Sequence, residues 1–146
     1  MRDADNIEAT ARRLRLLLGI DDQLRPDMIT VIFKLKSHGL IKNYIRMPDA
    51  QMQGSEAYYD PNSRLLHISE RTFRAANDLS NCSTMERRRA RYTIAHEVGH
   101  IVLGHSEIRH RGESNAYRKS TKGNAQDERE AEQFAAAFLA PAHLVG

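Results

Sequence analysis

At 146 residues, with 40% hydrophobic and 28% charged side chains, the chain has the size and composition of one globular domain, with room for a core and little for a second. Its net charge of +3, from 22 basic and 19 acidic residues, is too mild to argue for a nucleic-acid partner. Cys82 is the only cysteine, which excludes an internal disulfide and a thiolate zinc finger. No run approaches the roughly 20 apolar residues that span a bilayer. MRDADNIEAT carries acids where a secretory signal needs an apolar stretch. The expectation is a cytoplasmic, single-domain protein over residues 1–146, with no membrane contact.

Residues 6–18 read as a helix, because Ile7, Ala11, Leu14 and Leu18 share one face, Asp5 or Asn6 can cap the start and Gly19 can end it. Pro26 suits the first turn of a second helix that runs through Ile29, Ile32, Phe33 and Leu35 to Gly39. Alternation over residues 40–47, closed by Pro48, predicts a strand. Residues 57–59 and 65–69 read as a hairpin that turns on Asp60, Pro61, Asn62 and Ser63. A short helix over 70–77 follows, then a longer one over 84–103. Residues 104–126 are polar, basic and aperiodic, and read as a long loop. A last helix over 127–140 stops before Pro141. The pattern is α+β: a small antiparallel or mixed sheet packed with helices.

The longer helix carries HEVGH, residues 96–100. Random placement of the chain's histidines and glutamates would give such a spacing about 2% of the time, so the motif alone is suggestive and no more. The helical wheel adds to it. His96 and His100 fall about 40° apart, and Ile94, Val98, Ile101 and Val102 cluster on the opposite side. The core takes the back of this helix and the histidines look out of the front, which is the wrong face for core histidines. Two imidazoles one turn apart can share a zinc ion at about 2.0–2.1 Å. Glu97, offset by about 100°, is too far round to be a natural third ligand. It can reach a water activated by the metal and take its proton.

Such a site needs one more ligand, and DEREAEQFAAAFLAP offers three glutamates. Ala131, Phe134, Ala135, Phe138 and Leu139 form the apolar stripe of this last helix. Glu128 lies within about 20° of Ala135 and Leu139, so it points along the stripe. A carboxylate there is costly unless a cation meets it. Glu132 falls on the stripe's edge and Glu130 largely faces away. Glu128 is the candidate third ligand, against the competing reading of a half-exposed acid favoured by the helix dipole.

RRRARYTIAHEVGHIVLGH followed by EREAEQFAAAFLAP resembles the ImmA/IrrE family of metallopeptidases, which are gluzincin-like enzymes with an HExxH helix and a glutamate on a following helix. The resemblance runs from about Pro26 to Pro141 and takes in AYYDPNSRLLHIS. It implies a zincin-like fold, Zn2+ as cofactor, His96, His100 and Glu128 as its ligands, and Glu97 as general base. It also implies a protein substrate, commonly a DNA-binding transcriptional repressor cleaved in a stress response. The family usually carries asparagine or aspartate four residues after the ligand glutamate, where this chain has Glu132.

The remaining features have plainer readings. The arginines at 87, 88, 89 and 91 spread around their helix and read as solvated or locally paired, so no direct nucleic-acid binding is expected. His105 and His110 sit in the loop and could add a metal contact, but read first as surface histidines. His67, Tyr58, Tyr59 and Tyr117 are candidates to polarise the substrate carbonyl. One of the strands at 57–59 and 65–69 is expected to offer an edge to an extended peptide. The basic loop, with Arg109, Arg111, Arg118, Lys119 and Lys122, is expected to lie over the cleft and favour an acidic segment. The alternative from another class is a catalytically silent regulatory module held together by zinc.

Overall fold

Helix α1, Ala4–Leu17, turns Ile7, Ala11 and Leu14 inward, and the chain leaves it through Gly19 at a left-handed φ of 72°. The structure, a computed structural model, describes residues 4–77, 82–105, 109–112 and 122–145, with the backbone alone over 109–112 and 122–124. Arg15 is the inward residue that the apolar pattern did not indicate. It is fully buried and donates to the carbonyls of Ile20, Gln23 and Phe138. Helix α2, Met28–Ser37, is opened by Asp27, whose carboxylate accepts from the Ile29 N–H at 3.0 Å. Pro26 therefore precedes the cap instead of occupying the first turn. Met28, Val31, Ile32 and Leu35 sit in the core, while Phe33 is 48% exposed.

Strand β1, Asn43–Met47, is shorter than the 40–47 alternation suggested. The Leu40 N–H is still engaged in closing α2, on the Leu35 carbonyl. Strands β2, Ser55–Asp60, and β3, Leu65–Ser69, form the expected hairpin, and Asp60 caps its turn by accepting from Asn62 N–H at 2.9 Å. Ser69 then caps α3, Glu70–Ala76. Helix α4, Thr84–Val102, starts in a capping box of Ser83 and Glu86. Strand β4, Arg109–Gly112, lies within the segment expected to be loop. Helix α5, Lys122–Leu139, begins five residues earlier than expected, through a Gly and an Asn that read as breakers, and α6, Ala142–Val145, follows it.

The sheet order is β1-β3-β2-β4, with β1 and β3 parallel and the other pairs antiparallel. The fold is thus α+β and zincin-like, with a small mixed sheet. Both predicted hairpin strands are internal, so neither offers a free edge; among the described strands the edges are β1 and β4. One face of the sheet, with Leu66 and Ile68, joins Ile94 and Val98 of α4 in the core, and Ala57, paired with Ile68, is buried on the same face. Behind α4 comes α5, and behind that α1. Among the described residues no helix is long and apolar enough to cross a membrane.

Candidate metal centre

Helix α4 is buried on two sides. Ile94, Ala95 and Val98 face the core, and His96, Glu97 and His100 occupy the other side, as the wheel predicted. They do not look out to solvent, however: each is no more than 3% exposed, and α5 packs on this helix. Gly99 permits this close crossing. A Cβ there would stand 3.1 Å from Phe134 Cδ1 and 3.2 Å from the Ala131 Cα. The Ala131 contact is backbone, which cannot rotate aside. Gly99→Ala should push α5 outward and cost about 1–3 kcal/mol of stability as overpacking, measured by denaturant unfolding with zinc absent. An unchanged unfolding midpoint would show that the interface has slack.

Just before Ala131 on α5, Glu128 reaches back to α4. Its Oε2 lies 3.0 Å from His96 Nε2 and its Oε1 lies 3.2 Å from His100 Nε2. One donor atom from each of the three residues falls within 4.8 Å of the others. Atoms that share a tetrahedral ion at about 2.0–2.1 Å stand about 3.3 Å apart, so the spacing suits zinc. Two nitrogens and a carboxylate oxygen also match its ligand chemistry. Glu97, 1% exposed, lies beside this trio without belonging to it.

A second group stands beside the first. After α4 the chain turns through Gly104 at φ 74°, and the His105 N–H bonds the His100 carbonyl at 3.0 Å. This is a Schellman ending, in which the residue after the glycine packs back on the last turn of the helix. Here that packing is imidazole on imidazole: the Nδ1 atoms of His105 and His100 are 2.7 Å apart. On its other side His105 Nε2 meets Glu130 Oε1 at 3.1 Å and Asp127 Oδ1 at 3.5 Å. Gln126 donates to the second oxygen of Glu130 at 3.2 Å. His105 is therefore buried, not a surface histidine, and Glu130, expected to face away, is only 3% exposed. Glu132, expected at the stripe's edge, is exposed, so the departure from the family's usual asparagine or aspartate falls on the surface. The sequence did carry a signal for His105: a glycine and then a histidine just beyond the end of the HEVGH helix.

Other candidates fall elsewhere. Tyr58 pairs with His67 across β2 and β3, and their rings stack at 4.3 Å. They share the sheet face opposite Ala57, Leu66 and Ile68, and so point away from α4. Burial pushes the His67 imidazole down from its ordinary pKa and the Tyr58 phenol up. Of the described tyrosines named above, Tyr59 alone is on the helix-facing side, opposite Leu66. Tyr117, Arg118 and Lys119 lie outside the described residues, as do the side chains of Arg109, His110, Arg111 and Lys122. Arg89 is locally paired, to the carboxylate of Glu56, and Arg71 meets Glu86 at 3.4 Å.

Two histidines one turn apart on a buried helix, crossed by a glutamate from a second helix beside a small mixed sheet, define a metallopeptidase-type domain. A family model described as the IrrE N-terminal-like domain (Peptidase M78) matches residues 43–145, from β1 to the end of α6, and the chain belongs to this family. No curated protein and no solved structure matches the chain. Membership of a peptidase family implies a protein as substrate.

Proposed function

We propose that the chain is a zinc-dependent endopeptidase of the cytoplasm that cuts a specific regulatory protein, such as a DNA-binding transcriptional repressor. In this reading one domain holds the whole machinery, with His96, His100 and Glu128 as ligands and Glu97 as general base. The observation that carries it is the convergence of Glu128 on both histidine Nε2 atoms, at 3.0 and 3.2 Å.

A zinc ion bound there would polarise the scissile carbonyl and bring a water's pKa to roughly 7. His96, His100 and Glu128 would supply the three protein ligands of such an ion. His96 and His100 each present Nε2 as neutral imidazoles, and Glu128 supplies the compensating charge. Glu97 accepts the proton of the attacking water at its carboxylate and returns it to the leaving amide nitrogen. The substrate lies extended along the outer edge of β4, held by main-chain hydrogen bonds. The basic residues expected to favour an acidic substrate, Arg109, Arg111, Arg118, Lys119 and Lys122, fall in or after this strand in sequence.

Elemental analysis of protein purified without chelator should find about one zinc per chain, and the zinc-loaded protein should cleave a repressor encoded near its own gene. Absence of stoichiometric transition metal after zinc is added back would remove the foundation of this reading. Stoichiometric zinc with no cleavage would favour a metal that only holds the helices together.

A further inference from the structure

We infer that His105, anchored by Glu130 and Asp127, is the positioning residue for His100, and that its own cluster cannot take a second ion while the first is in place. This rests on His96, His100 and Glu128 as the metal ligands.

The two Nδ1 atoms of His100 and His105 are 2.7 Å apart, a hydrogen bond that holds a single proton. If His100 offers its Nε2 lone pair to a metal, its neutral ring must carry the proton on Nδ1. That N–H then donates to Nδ1 of His105. His105 in turn must carry its proton on Nε2, where Glu130 Oε1 accepts it at 3.1 Å. Gln126 donates to the other oxygen of Glu130 and so fixes the carboxylate plane. The result is a buried line from carboxylate through two imidazoles to the metal-facing nitrogen. It selects the tautomer of His100 and holds its ring in place.

His105, Asp127 and Glu130 could themselves hold a cation, since their donor atoms also lie within 4.8 Å of one another. An ion on His105 Nε2 would force the shared proton onto His105 Nδ1. His100 would then have to carry its own proton on Nε2, facing Glu128. Each cluster is a metal site only when the other is not, unless a neutral imidazole gives up its remaining proton. The geometry favours the first. Both oxygens of Glu128 meet histidine nitrogens there, whereas in the second cluster Glu130 Oε2 is engaged by Gln126 and Asp127 stands off at 3.5 Å.

Zinc titration of the parent and its variants, together with ¹⁵N imidazole spectra of the zinc-loaded parent, tests this. The parent should bind one zinc, with the His105 proton on Nε2 and Nδ1 bare. His105→Ala should weaken zinc binding about 10–100-fold. His105→Asn, whose Oδ1 can accept the His100 N–H, should recover part of the loss. A His105 proton on Nδ1, parental affinity in His105→Ala, or a second zinc lost in Glu130→Gln would each overturn the relay while leaving the primary site standing. A parent that binds no zinc overturns the primary site and the relay with it. Should His105→Ala fail to fold, the tautomer measured on the parent still decides.

Discussion

Glu97→Gln should bind zinc as tightly as the parent and cleave its substrate about 10²–10⁴-fold more slowly. The amide keeps the size and shape of the carboxylate, so the packing of α4 against α5 is preserved. What it loses is the capacity to take a proton. Because Glu97 lies outside the trio of donor atoms formed by His96, His100 and Glu128, the metal should not register the change. Zinc content and cleavage rate, measured on the same preparation, separate the two roles. If the variant loses zinc, Glu97 is a ligand and the division of labour on this helix is wrong. If it keeps both zinc and activity, the proton goes elsewhere.

The features legible in the sequence are those that one helix can express by itself. The spacing of His96 and His100, the apolar back of α4 and the inward lean of Glu128 all follow from periodicity, and the three side chains do converge. Features that depend on how elements meet were not legible. Glu130 was judged against one apolar stripe, but α5 packs on both α4 and α1, so its buried arc is broader than a surface helix shows. Glu128 and Glu130, about 160° apart, flank the two sides of an arc centred on Ala131 and Phe138. Both are drawn in, while Glu132 lies past the rim. Strand β4 spells RHRG, four residues with no alternation to read, and its pairing with β2 comes entirely from tertiary context. The parallel pairing of β1 with β3, which moves the hairpin off the sheet edge, leaves no local trace either.

That revised burial changes the expected order of effects among the three glutamates of α5. Glu128→Ala removes the carboxylate that meets both His96 and His100, and should weaken zinc by more than about 100-fold, beyond what loss of a supporting partner does. Glu130→Ala leaves those donors in place and removes the anchor of His105, so it should fall in the supporting range of about 10–100-fold. Glu132→Ala touches an exposed side chain and should stay within about twofold. Competition titration against a chromophoric zinc chelator resolves all three, with the thermal unfolding of each zinc-free variant as a control for folding. A ranking that put Glu132 first would move the ligand one turn along α5, toward the position where the family usually carries asparagine or aspartate. Equal, large losses for Glu128 and Glu130 would mean that both carboxylates bind metal, and that the two clusters form one binuclear centre.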